Sequence, residues 1–144
     1  MMILNLAAGT LVIAITVLIH TLGLIGVTRT MAWLVDHFRM HGRRSRILAM
    51  VTVVFGLFAI LTVEVWLWAL CYMILGAFTD FSTALYFSTV TFSTLGFGDV
   101  VPTESWRLFA ALEAVNGFLL IGWSTAYLIA ASTRIGPFRI GEHF

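Results

Sequence analysis

Apolar residues in this chain gather into three long runs, 3–27, 47–78 and 106–132, separated by two polar stretches. Each run exceeds the roughly 20 residues that a helix needs to cross a hydrocarbon core, so each predicts a membrane-spanning helix. The second is long enough to tilt. The stretch between the second and third runs holds FSTALYFSTVTFS, residues 81–93, which is rich in hydroxyls and too short to span. It predicts a three-turn helix over 81–92 with Asp80 as its N-cap. Between the first and second runs, Met31, Leu34, Val35 and Phe38 fall on one helical face, with Asp36, His37 and Arg39 elsewhere and Gly42 as a stop. That pattern predicts a helix lying along the membrane surface. The expected divisions are a first span over 1–28, a basic linker over 29–46, a second span over 47–78, the short helix over 81–92, a loop over 94–99, a third span over 105–133, and a short tail over 135–144.

Composition supports the same class. Of the 144 residues, 60% are hydrophobic and 10% charged, and the mean hydropathy is +1.02. A soluble chain of this size could not bury that much apolar surface, so the fold class is an all-α membrane protein. The first run lacks a positive leading region, exceeds the length of a signal-peptide core and has no clear small-x-small cleavage site, so it is read as a retained helix. The basic residues are all arginines. Arg29, Arg39, Arg43, Arg44 and Arg46 lie between the first two spans, and Arg134 and Arg139 follow the third, whereas the 77–105 connection carries only Asp80, Asp99 and Glu104. The positive-inside rule then puts the linker and C-terminus in the cytoplasm and the N-terminus outside. Arg39, Arg43, Arg44 and Arg46 either bind anionic lipid heads or act only as topology determinants. Cys71 is alone and reads as a small apolar residue inside a span. His37 and His41 have a metal-compatible spacing but no third ligand. With no glycine-rich nucleotide loop, nucleophile motif or zinc signature, the chain is expected to be no enzyme, to use no cofactor and to bind no nucleic acid.

The stretch with the sharpest chemistry is Thr94-Leu95-Gly96-Phe97-Gly98-Asp99, preceded by Thr89, Thr91 and Ser93 and by the aromatic pair Tyr86 and Phe87. Here the sequence resembles the pore module of potassium channels, whose selectivity filter reads Thr-Val-Gly-Tyr-Gly, and the resemblance covers about residues 48–131. It implies that 81–92 is a re-entrant pore helix, that 47–78 and 105–133 are the outer and inner helices, and that four chains form a homotetramer. A dehydrated K+ needs oxygens in place of its water shell. Backbone carbonyls supply them if the chain alternates between ordinary and left-handed conformations, which glycine enters without penalty. By resemblance, Thr94, Leu95, Gly96 and Phe97 bind K+, Gly98 completes the filter, and Asp99 stands at the outer mouth.

The sequence departs from that pattern in places. Phe97 replaces the commoner tyrosine, and Tyr86 and Phe87 replace the paired tryptophans of the aromatic cuff, which implies a less rigid filter. Many members place a glutamate behind the filter, bonded to the aspartate after it. That position is Val90 here, so Asp99 is expected to lack this partner. Glu113, about two turns into the third span, is either a filter support or a protonated or hydrogen-bonded interhelix contact. An unpartnered carboxyl at that depth costs roughly 3 kcal/mol. Glu64, beside Trp66 and Trp68, predicts a hydrogen bond to a neighbouring helix. His20 falls in the inner third of its run, at a depth that does not pair with Glu64. Gly117 and Gly122 are candidate gating hinges, with close packing as the competing reading. Asn116, Ser124 and Thr125 are candidate cavity-lining residues. The expected function is passive K+ conduction in a plasma membrane. The alternatives are a weakly selective cation channel, or a non-conducting subunit of a larger channel complex.

Overall fold

The computed structural model describes residues 1–37 and 43–135. Four helices follow in order: α1 (Met2–His37), α2 (Arg43–Ile74), α3 (Phe81–Phe92) and α4 (Arg107–Ile135), the last entered through a single 3-10 turn at Glu104–Trp106. Among the described residues there is no strand. Three stretches, Met2–Leu34, Arg46–Ile74 and Glu104–Arg134, are long and apolar enough to cross a membrane. Large apolar side chains such as Leu11, Leu18, Leu22, Phe55, Phe58 and Ile74 point outward and exposed. That surface suits lipid and not water.

The helix ends differ from those expected from hydropathy. α1 continues through the arginine-bearing stretch to His37 instead of stopping at 28, because no breaker interrupts it there. The surface helix expected over 29–46 is therefore not a separate element: its first part prolongs α1 and its last part, from Arg43, opens α2. Phe38, Arg39, His41 and Gly42, and the tail from 136 including Arg139, lie outside the described residues. α2 spans 43–74 where 47–78 was expected. Its end is set by Gly76, at φ +72. The Gly76 N–H donates to Met73 O and the Ala77 N–H to Tyr72 O, a Schellman closure that a left-handed glycine makes possible.

Asn5 Nδ2 near the start of α1 donates to Ser105 O beside the start of α4. Far along both helices, Thr28 and Tyr127 share a hydrogen bond of 2.6 Å. α1 and α4 thus run in the same sense, with α2 antiparallel to both. Two apolar clusters fill the interior. At the end that carries the 93–106 connection, Trp68, Tyr72, Phe87, Phe92, Phe109 and Leu120 pack together, with the Tyr72 ring 5.2 Å edge-on from both Phe87 and Phe109. At the other end Leu24, Val27, Val53, Leu57, Ile60 and Ala131 join α1, α2 and α4. Gly23 lies against Ile60 and Gly56 against Val27, small residues that let two membrane helices approach closely.

Candidate functional site

The short helix α3 holds the candidate site in place. Asp80 caps it, accepting from the Thr83 N–H at 2.8 Å and the Thr83 hydroxyl at 2.9 Å. Those two donors, the backbone one foremost, hold the Asp80 carboxyl below its ordinary range. At the other end the Ser93 N–H reaches back to Thr89 O. The next three N–H groups turn the same way: Thr94 donates to Thr91 O at 3.0 Å, and Leu95 and Gly96 donate to Val90 O at 3.0 and 3.2 Å. Val90 therefore serves through its carbonyl, while its side chain is buried.

Beyond this anchor the backbone has positive φ at every second residue: Thr94 +61, Gly96 +57 and Gly98 +77. This alternation turns successive carbonyls toward the same side of the segment. The two glycines adopt it freely. Thr94, a β-branched residue, does so against its own preference, held there by the Thr91 carbonyl; the sequence carries no sign of this. Among the described residues, no carbonyl of 94–98 accepts a backbone hydrogen bond. Leu95 and Phe97 are exposed at 58% and 65%.

Two aromatic residues expected to form one cuff divide the work. Tyr86 points out and donates its hydroxyl to Asp99 Oδ2 at 2.7 Å. Asp99 thus has a partner on α3, in place of the glutamate missing at position 90. The Tyr86 hydroxyl pulls the Asp99 carboxyl below its ordinary range. Phe87 turns inward instead, edge-on to Tyr72 and 5.1 Å from Phe78.

Behind α3 lies Glu113, fully buried on α4. Its Oε1 is 2.5 Å from the Ser88 hydroxyl of α3, and its Oε2 is 2.6 Å from the Tyr72 hydroxyl of α2. Ser88 Oγ also lies 2.9 Å from Val65 O. Glu113 thus makes the interhelix contact, joining α4 to α3 and α2. One turn further on, Gly117 presses on the end of α3: a Cβ there would meet Phe92 O and come within 2.8 Å of Phe92 Cα. The structure gives Gly117 the close-packing role, whereas an added Cβ at Gly122 would meet nothing within 4 Å. α4 is continuous through both glycines.

The expected depth mismatch between His20 and Glu64 is wrong. His20 Nδ1 and Glu64 Oε1 are 3.0 Å apart and both side chains are fully buried, with the Trp123 ring 5.1 Å from the imidazole. Extension of α1 to His37 puts His20 near the middle of the helix, which brings the two level. Glu64 does bond a neighbouring helix, as its burial in a span demands. Asn116 likewise faces α1, donating to Thr16 Oγ1 at 2.9 Å. Ser124 is buried, and Thr125 bonds back to Ile121 O. Arg46 is exposed near the start of α2.

Residues 60–134 match the family described as Ion channel, a little over half of the chain. A 45-residue stretch is 42% identical to TWiK family of potassium channels protein 18 of Caenorhabditis elegans, covering 31% of this chain and 9% of that protein. The chain thus spans under a tenth of that relative's length. No solved structure matches.

Proposed function

The chain belongs to the ion channel family, and we propose that it conducts potassium passively through a pore shared by four copies. Dehydrated K+ would pass along rings of carbonyl oxygens from Thr94, Leu95, Gly96 and Phe97, with Gly98 completing the filter and the Thr94 hydroxyl adding the innermost ring. The observation that carries this reading is the alternating φ sign at Thr94, Gly96 and Gly98, with the N–H groups of 94–96 held by the pore helix. Such a segment spends its donors on its own scaffold and keeps its carbonyls for a cation. The negative end of the α3 dipole points the same way.

Non-helical backbone at membrane depth survives only against protein or a water-filled cavity, so the exposed filter calls for neighbouring subunits. A stripe of exposed residues on α4, at 111, 115, 118, 122, 125 and 129, has the four-three spacing of a helix seam and supports the same assembly. Potassium as the ion is supported by the filter residues and by the potassium-channel relative. The arginine distribution supports an orientation with the N-terminus outside and the C-terminus in the cytoplasm, and the membrane in this reading is a plasma membrane.

The test is K+ against Na+ flux through purified protein in liposomes, paired with Gly96→Ala. Potassium flux far above sodium flux, lost in the variant, is the expected result. Equal flux of both ions, still lost in the variant, would make the pore a weakly selective cation channel. Phe97, exposed and without a ring partner among the described residues, favours that second reading. Absence of flux in homomeric protein, with flux only in mixed complexes, would make the chain an accessory subunit.

A further inference from the structure

Behind the filter, three oxygen–oxygen contacts form one chain: Tyr72 Oη to Glu113 Oε2 at 2.6 Å, Glu113 Oε1 to Ser88 Oγ at 2.5 Å, and Ser88 Oγ to Val65 O at 2.9 Å. Each contact needs one proton between its oxygens. Tyr72 and Ser88 supply one each, and a carbonyl supplies none. An ionised Glu113 therefore leaves two protons for three contacts, and Ser88 must abandon either the carboxylate or Val65. A neutral Glu113 closes the count: its own O–H donates to Ser88, Ser88 donates to Val65, and Tyr72 donates to the remaining carboxyl oxygen. Among the described residues no arginine or histidine lies within ion-pair distance of Glu113, so a charge in this fully buried place would stand uncompensated.

We propose that Glu113 is a neutral carboxylic acid that positions the pore helix, and that through this helix it sets the filter. The path is short. Glu113 and Gly117, one turn apart on α4, meet Ser88 and Phe92, one turn apart on α3. Between those two contacts lies Val90, whose carbonyl holds the Leu95 and Gly96 N–H groups. Tyr72 bonds Glu113 and the Val65 carbonyl accepts from Ser88, so α2, α3 and α4 are joined by one chain of hydrogen bonds. Glu113 touches no ion, and acts only through Ser88 and α3. The positioning role rests on the reading of 94–98 as the filter; the proton on Glu113 does not.

The test uses the full chain in liposomes, wild type beside Glu113→Gln, Glu113→Leu and Ser88→Ala. In infrared difference spectra of wild type minus Glu113→Gln, a carbonyl band of a protonated carboxylic acid is expected. A carboxylate pair of bands in its place overturns the neutral state. Glutamine has nearly the same shape, with an amide N–H to donate to Ser88 and a carbonyl to accept from Tyr72, so Glu113→Gln keeps the K+ over Na+ flux ratio. Glu113→Leu strands the buried Tyr72 hydroxyl and leaves Ser88 bonded to Val65 O alone, and Ser88→Ala cuts the link to α3; each lowers the ratio roughly tenfold. Selectivity lost equally in the Gln and Leu variants would mean that charge is what matters, and selectivity kept in Ser88→Ala would overturn the positioning role. Where Glu113→Leu fails to assemble, Ser88→Ala decides. Wild-type protein with no potassium preference would sink the filter assignment instead, while the infrared band still reports on Glu113.

Discussion

The 94–99 segment, the proposed filter, and the interface of α1 are built in opposite ways. Residues 94–99 hang from α3 by backbone hydrogen bonds and one tyrosine, and their side chains are exposed in the single chain. The α1 interface is closed within one chain: His20 meets Glu64, Asn116 meets Thr16, Tyr127 meets Thr28, and Gly23 seats Ile60. Yet all of α1 and about half of α2 lie outside the 60–134 family match, while the open 94–99 segment lies inside it. Completeness within a chain and membership in the conducting module are separate properties. On the proposed reading, a filter must be unfinished in one copy if several copies are to complete it.

Substitutions that separate stability from conduction sharpen this contrast. The largest loss of stability is expected from His20→Leu, which leaves the buried Glu64 carboxyl alone and costs about 3 kcal/mol, read from denaturant unfolding in micelles. The double variant His20→Leu with Glu64→Leu should recover most of it, since an apolar pair suits the site. A double variant as unstable as the single one would show that the pair does not hold α1.

Gly117→Ala comes next, at about 2 kcal/mol, because the new methyl meets the Phe92 backbone and not a side chain that can swing aside. A thermal midpoint equal to wild type would show that α3 and α4 separate easily. Gly96→Ala should cost only about 1 kcal/mol, from its left-handed φ, since nothing lies within 4 Å of the new carbon. It should nevertheless abolish flux. Retained flux would break the comparison, because the filter would then tolerate what its geometry forbids.

The smallest effect concerns pH. Asp99 is held below its ordinary carboxylate value by the Tyr86 hydroxyl. A depressed folded value means that the contact is at full strength above the ordinary value and is lost as pH falls through the depressed one. Tyr86→Phe should therefore move the Asp99 titration toward higher pH. Carbon-13 NMR of the labelled carboxylate reads this directly, and an unmoved midpoint would show that Tyr86 does not hold Asp99.

Much of the site was legible because it is local. Asp80 before a hydroxyl-rich turn announces a cap, and α3 begins and ends where that cap and its length predict. Gly96 and Gly98 announce left-handed backbone, and the structure has it at both. The left-handed Thr94 was not legible, since its conformation is imposed by the Thr91 carbonyl. Nor was the tie from Tyr86 to Asp99, which spans the whole filter loop.

What the sequence determined alone was therefore whatever one segment settles for itself: three spans from hydropathy, a capped helix, a glycine-paced loop and a charge asymmetry. The tertiary structure decided which buried polar groups meet. His20 finds Glu64, Asn116 faces α1, and Glu113 joins Tyr72 to Ser88, because the level of each group depends on where its helix ends and how the helices slide past one another. An apolar run tolerates many such offsets at nearly equal cost, so hydropathy cannot choose among them. Hydrogen bonds between buried groups can, and those exist only once the helices are packed.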